Sequence, residues 1–520
     1  MNRRVFLKAL AALTGASIIP QNFTGSMYRK ANAAIDYSAL DITAPNIMPQ
    51  VINVFLYGGP SELSGNLTNI ADIQVNSQMS YLDFFPGLLD PQNLGDMMSD
   101  GSITPSGFWG SNGSGNGVDN GLGAGGDDMQ FLVDNGYMSV YRTMMKRKNT
   151  SQAHRESILM SQKGSLDIDF SAGFGYKLAA TISEHRALYE AGSTLADGTA
   201  IDSVENLIMP FVSIEDGDTR IFDKDGNTTL PVLFNGISLN RDLTNPFTRR
   251  EINGEETADL DALVQQQLAN DARNYSEVIE AFQLRENLEA SMATFENAFD
   301  SVPAYPNTGF GDKLRAAVTL ATENPGTLFI TLGGGFGGWD DHNNGVDEYP
   351  QRMRELFEAL RAAMAHIDAA NGNTPVLGLN RPTDNIIINV FGDFGRRVNL
   401  NNSLGWDHGN NQNFFTLGGG RAGLRTPQAN RGLGNVVGTT VHTGPKNQNN
   451  QYTVPAEGSY EFEPMSVAST IFKYFGVNYQ NTVDSLGYDP LTSSIDPMTE
   501  EIADIGSPPI DEDPDTNGAA

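Results

Sequence analysis

TDNIIINVFGDFGRRVNLNNSLGWDHG, residues 383–409, is the stretch on which the fold turns. Its first half holds the apolar run Ile386-Ile387-Ile388-Asn389-Val390-Phe391. The run is short, β-branched and bounded by polar residues, which predicts a buried strand. It ends in Gly392-Asp393-Phe394-Gly395-Arg396-Arg397, and Trp406-Asp407-His408-Gly409 follows on the next loop. An acid at a strand end, with an Asp-His pair after it, lies where an open α/β sheet holds its ligands.

Working outward, three more apolar runs resemble it. Residues 51–57, VINVFLY, lead into Gly58-Gly59-Pro60-Ser61-Glu62. Residues 138–143 lead to Thr150, Ser151 and His154, with a helix expected to follow as far as Gln162 and Thr150 or Ser151 as its cap. Residues 327–332 lead through a glycine-rich tract to Trp339-Asp340-Asp341-His342. Helical periods separate the strands: a long tract over 257–299, a helix over 311–323, a stripe through Tyr349, Met353, Leu356, Phe357, Leu360, Met364 and Ile367, and a last helix through Val467 and Ile471 closed by Gly476. This alternation predicts an α/β fold with a central, mostly parallel sheet and helices on both faces. The strand-like segments 211–214 and 230–234 flank Asp225-Gly226, expected to be a hairpin turn. The Gly/Asn-rich stretches at about 92–128 and 421–458 are expected to be loop insertions in one domain over residues 34–498. The tail, 499–520, holds seven acids and no base and is expected to be disordered.

If the four strands are parallel neighbours, their polar ends share one rim. Asp340, His342, Asp393, Asp407 and His408 should then converge in one pocket, with His154 at its edge. Carboxylates beside neutral imidazoles suit zinc or manganese, and carboxylates alone suit magnesium or calcium. The bland alternative is a hydrogen-bonded loop network without metal. Thr150 to His154 can equally be a helix start with a surface histidine, and Arg396 an ion pair or carbonyl cap. His366, within a helical stripe, is expected to be structural. The glycine tract before Trp339 lacks a following Lys-Ser/Thr, which argues against a nucleotide cradle.

Composition narrows the classes. The net charge of −30 leaves no surplus of cations for a nucleic-acid partner. With no cysteine, disulfides, thiolate metal sites and cysteine nucleophiles are excluded. Residues 1–33 begin Asn2-Arg3-Arg4-Val5-Phe6-Leu7-Lys8, continue with a short apolar stretch and end in Ala31-Asn32-Ala33. This pattern matches a twin-arginine signal whose apolar part is too short for a membrane anchor. The expectation is removal of residues 1–33, export to the periplasm or beyond, and no transmembrane anchor afterwards.

Several motifs together resemble the DUF1501 family, secreted twin-arginine proteins of the alkaline phosphatase-like superfamily. Gly58-Gly59-Pro60-Ser61 is similar to the family's GGPS opening, and Gly338-Trp339-Asp340-Asp341-His342 to its GWDTH. Gly392-Asp393-Phe394-Gly395-Arg396 is similar to SEFGR, and Asp407-His408-Gly409 to DHG. Ala153 stands where many members have the serine of a Ser-His pair. The resemblance runs over about residues 51–477. It implies an alkaline phosphatase-like fold and a metal-dependent hydrolase of anionic phosphate or sulfate esters. Its implied ligands are Asp340, His342, Asp393, Asp407 and His408; its nucleophile Thr150 or Ser151, with His154 beside it; its anion-holding group Arg396. Many members carry an aspartate near the positions of Ser61 or Ser64, where only Glu62 is acidic here. One metal position is therefore expected to be weakened or lost. The alternative is a catalytically degenerate secreted protein that keeps the fold for binding or assembly.

Overall fold

The computed structural model describes residues 37–60, 125–214, 219–224, 230, 232–233, 245–247, 276–333, 338–343, 345–370, 383–401, 403, 405–418, 434, 436–438, 440–443, 452–478 and 510. The export segment, Ser61, Glu62 and Ser64, the Asp225-Gly226 turn and the first part of the 257–299 tract lie outside the described residues.

The strands are β1 (Gln50–Leu56), β2 (Met138–Met145), β3 (Phe211–Ile214), β4 (Val232–Leu233), β5 (Phe329–Gly333), β6 (Ile386–Gly392), β7 (Gly395–Leu400), β8 (Trp406–Gly409), β9 (Asn411–Gly418), β10 (Val436–Val437), β11 (Thr440–Thr443) and β12 (Tyr452–Pro455). The α-helices are α1 (Gly126–Asp134), α2 (His154–Lys163), α3 (Phe174–Glu184), α4 (Arg186–Gly192), α5 (Ser276–Ser301), α6 (Gly309–Glu323), α7 (Gly345–Ala370) and α8 (Ser466–Tyr474).

One mixed sheet has the order β10-β2-β9-β6-β1-β5-β3-β4, with a two-residue strand at each edge and six longer strands between. β1 pairs in parallel with β6 and β5, β5 with β3, and β3 with β4. β9 is antiparallel to both β6 and β2, so β2 points the same way as β1. The ends of β1, β2, β5 and β6 therefore share a rim. β9 has a simple reason to run the other way. The β7–β8 ribbon leaves the chain near the rim, and only Asn410 separates it from β9.

Alternation along β1 divides the core. Ile52, Val54 and Leu56 pack with Phe299 of α5, Leu314 of α6 and Leu356 of α7. Val51 and Phe55 pack on the other face with Leu178 of α3, Tyr189 of α4 and Ile471 of α8. Helices thus cover both faces, which is why β6 is a continuous apolar run with Ile386, Ile387, Ile388, Val390 and Phe391 all buried. Each such side chain contributes about 1.5–3 kcal/mol.

Several local expectations need correction. The 211–214 and 230–234 segments do not form a hairpin, because β3 and β4 are parallel and a tight turn joins antiparallel strands. The 421–458 stretch is not all loop, since it contains β10, β11 and β12. At the other insertion, residues 126–128 already belong to α1. The first residue before α2 is Ala153, with no side-chain cap; Ser151 Oγ instead accepts the Ala153 amide at 3.3 Å, outside the helix. Of the acidic tail, 499–520, only Ile510 is described; it is buried, and its amide donates to Thr470 Oγ1 on α8 at 2.6 Å, while the rest of the tail lies outside the described residues.

Candidate metal centre

The rim is assembled from backbone that only glycine permits. Beyond β1 the chain turns at Gly58 and Gly59, both with positive φ (108° and 76°). A Cβ on Gly58 would lie 2.4 Å from the Asp340 amide nitrogen. Bare glycine thus lets the end of β1 touch the segment after β5, and the Trp339 amide donates to Tyr57 O at 2.7 Å. Arg396, at the start of β7, fastens these pieces. Its guanidinium is fully buried and donates to Gly59 O (2.8 Å), Trp406 O (2.9 Å), Trp339 O (3.1 Å), Asp340 Oδ1 (2.8 Å) and Gly58 O.

Three imidazoles and one carboxylate meet above this clamp. His154 comes from the start of α2, Asp340 and His342 from the loop after β5, and His408 from β8. One ligand atom from each, all four within 4.8 Å of one another, makes a group able to hold a metal ion. Asp340 Oδ1 lies 3.3 Å from His154 Nε2, 3.3 Å from His342 Nε2 and 3.8 Å from His408 Nε2. His342 Nε2 and His408 Nε2 are 2.7 Å apart. The Asp340 side chain is 51% exposed and those of His408, His154 and His342 are 19%, 31% and 35% exposed, so the group is reachable from solvent.

The other nitrogen of each ring is engaged. His154 Nδ1 is 2.7 Å from Asp393 Oδ2, His342 Nδ1 is 3.2 Å from Asp407 Oδ1, and His408 Nδ1 is 2.6 Å from Gln152 O. A carbonyl or carboxylate oxygen only accepts, so each Nδ1 carries a proton and each neutral ring turns its Nε2 lone pair inward. Two such lone pairs at 2.7 Å repel unless a proton or a cation lies between them. His154 Nε2 is buried and has no hydrogen-bond partner. Phe394 holds the rings from behind, with its centroid 4.7 Å from that of His154 and 4.3 Å from that of His408.

Charges follow this arrangement. The hydrogen bond to Asp393 raises the His154 pKa against the opposing effect of burial. Burial lowers His408 to about 4, helped by the charges of Arg396, His154 and His342. Burial acts upward on Asp340, but the Arg396 hydrogen bond and charge bring its pKa below the usual value. Burial likewise acts upward on Asp407, and hydrogen bonds from Asn401 and His342 overcome it. The group thus balances ionised carboxylates against rings that differ in proton affinity.

The residues singled out in the sequence fall into three sets. Asp340, His342 and His408 meet at the centre, and His154 stands among them rather than at the edge. Asp393 and Asp407 are next to the centre, each on the outer nitrogen of a ring. Thr150 and Ser151 are not joined to the group by any hydrogen bond or ion pair among the described residues. Thr150 is exposed, and Ser151 Oγ takes the Ala153 amide. Each Arg396 nitrogen already donates to a main-chain carbonyl, and Nη2 also to Asp340, which is the carbonyl-cap alternative and leaves no fork for a substrate anion. Sequence reasoning missed Gln152, which acts through its main chain and so has no side-chain signature. It also missed Asn401, which donates to Asp407 Oδ1 (3.1 Å) and His342 O (2.9 Å). His366 is buried away from the group, its Nδ1 3.1 Å from the Tyr305 hydroxyl.

Fold and site together define a mixed α/β protein with a rim-mounted His/Asp group that could hold a metal ion. Residues 229–459 match the model of the family described as "Protein of unknown function (DUF1501)", which supports the resemblance drawn from the motifs. The matched span includes Asp340, His342, Asp393, Arg396, Asp407 and His408; β1 and His154 lie before it. No curated protein matches the chain. No helix among the described residues is long and apolar enough to cross a membrane.

Proposed function

We propose that His154, Asp340, His342 and His408 bind a divalent metal ion, and that the protein is an exported, metal-dependent hydrolase of phosphate or sulfate esters. The observation that carries the metal is the inward convergence of three Nε2 atoms on one carboxylate oxygen. A tetrahedral shell with bonds of about 2.0–2.1 Å places its ligand atoms about 3.3 Å apart. The contacts of 2.7, 3.3, 3.3 and 3.8 Å bracket that separation. Three imidazoles with one carboxylate suit zinc first and manganese second, and suit calcium or magnesium poorly, since those ions favour all-oxygen shells.

A divalent ion here supplies Lewis-acid polarisation of an ester oxygen. The protein's own residues supply the rest. Asp393, Asp407 and Gln152 O orient the rings, Phe394 shields their back, and Arg396 keeps Asp340 ionised. The alkaline phosphatase-like fold and twin-arginine export complete the proposal, supported by the motif resemblance, the parallel rim and the Arg3-Arg4 signal pattern.

The second reading, a degenerate binding or assembly protein, is favoured by one observation. The Arg396 guanidinium, held by main-chain carbonyls and Asp340, offers no fork to a substrate anion. Metal content of the purified exported protein, with nitrophenol release from phosphate and sulfate esters, separates the two. Bound zinc or manganese, with turnover lost in Asp340→Ala, is the expected result. Metal without turnover supports the second reading, and a parent that binds no divalent ion at micromolar concentration refutes the metal centre. Lysine at both Arg3 and Arg4 should block export; unchanged export of that variant would remove the localisation proposal.

A further inference from the structure

We infer that this centre takes a single ion and that Asp393 and Asp407 are positioning residues, each holding the ring of a ligand histidine instead of binding metal. This rests on the metal reading above and goes beyond it by assigning the acids that the motifs place beside the ligands.

The acceptor inventory carries the inference. Asp393 is fully buried and has both oxygens committed: Oδ1 accepts the Gly58 amide at 3.1 Å, and Oδ2 is 2.7 Å from His154 Nδ1. Gly58 N–H is a fixed main-chain donor, so Asp393 ties the His154 ring to the end of β1. Asp407 Oδ1 is shared between His342 Nδ1 at 3.2 Å and Asn401 Nδ2 at 3.1 Å. Asn401 also holds His342 O, which links the ring to its own main chain through one side chain. An oxygen on the Nδ1 side of an imidazole lies across the ring from the Nε2 that faces the centre. It cannot share the same ion, but it fixes the tautomer and angle that the ion needs. A pair of ions about 3.5–4 Å apart would require a second donor set. Among the described residues the only group of three or more metal-ligating side chains that fits an ion is His154, Asp340, His342 and His408.

The test is a zinc titration of the chelator-stripped, mature exported protein, with the bound ions counted by native mass spectrometry. Cobalt substitution gives a visible spectrum that reports the ligand shell. The parent should bind one ion per chain. Asp393→Asn and Asp407→Asn should each still bind one ion with an unchanged cobalt band shape, and their affinity should fall about 10–100-fold. His154→Ala and Asp340→Ala should lose the tight site altogether. Because Asp393 is buried, Asp407→Asn on the partly exposed ribbon is the variant that keeps the test open if Asp393→Asn fails to fold. Two ions per chain would overturn the inference while leaving the metal reading intact. So would loss of binding in Asp407→Asn as complete as in Asp340→Ala, or unchanged affinity in both asparagine variants. No zinc bound by the parent would defeat the metal reading itself.

Discussion

Replacing Arg396 by alanine should be among the most damaging single changes in the described structure. The guanidinium is fully buried and gathers carbonyls from three separate segments: Gly58 and Gly59 after β1, Trp339 after β5, and Trp406 on β8. Trp339 O keeps another donor, the Asp341 amide at 3.0 Å. Gly58 O and Gly59 O are the acceptors most exposed to the loss, at about 1–3 kcal/mol for each buried group left unsatisfied. The ion pair with Asp340 adds little, because that carboxylate is half exposed and screened by water. The sum is about 4 kcal/mol after allowing for water entering the space, which is at the high end for one substitution. Arg396→Lys keeps a charge and three donors but not the planar fork, and should cost about half as much. Chemical unfolding measures the total, and amide hydrogen exchange locates it. Protection should fall at the Trp339 amide, which bonds Tyr57 O, and along β7–β8 ahead of the central strands. A loss below about 1 kcal/mol in Arg396→Ala, or a lysine variant as unstable as the alanine one, would refute the clamp.

Gly58→Ala should cost about 3 kcal/mol and weaken zinc binding, since it combines a positive φ with a Cβ 2.4 Å from the Asp340 amide nitrogen; a variant with unchanged melting temperature and zinc affinity would show that the rim yields easily. Glu463 gives a pH prediction. Burial pushes its carboxyl up to about 7 from 4.5, although Oε1 accepts the Arg147 and Lys148 amides at 2.8 and 2.9 Å. A carboxyl raised in the folded state stabilises below the unfolded pKa and loses that contribution as pH rises through the folded pKa. The loss approaches about 3 kcal/mol above pH 7. Glu463→Gln should therefore gain stability relative to the parent between pH 5 and pH 8, as read from urea midpoints; an offset independent of pH would refute it.

Much of the frame was legible because its causes are local. The run over 386–391 is apolar on both faces, which suits a strand covered on both sides, and the stripe from Met353 to Ile367 has the period of a helix with one buried side. The glycines and acids at the strand ends marked the rim for the same reason: a turn with positive φ and a polar group can be read within a few residues. β9 was harder to see. It opens with Asn411, Gln412 and Asn413, polar residues that are nonetheless buried, and the hydrogen-bond partners of Asn411 and Gln412 are remote in sequence. Asn411 Nδ2 donates to Arg142 O at 3.0 Å, and Gln412 Oε1 accepts the Gly392 amide at 2.9 Å.

By itself, then, the sequence determined the alternating α/β frame, the acids and imidazoles available, and the strand ends that carry them. Only the tertiary structure decided their roles. His154 belongs at the centre because β9 lies between β2 and β6, which sets the start of α2 over the end of β6. Asp393 and Asp407 lie on the outer nitrogens because Gly58 and Asn401 fix their carboxylates from the side. Arg396 faces inward because four main-chain carbonyls from three distant segments converge on it. Each of these facts depends on which segments become neighbours, a property of long-range packing that no spacing within one segment records.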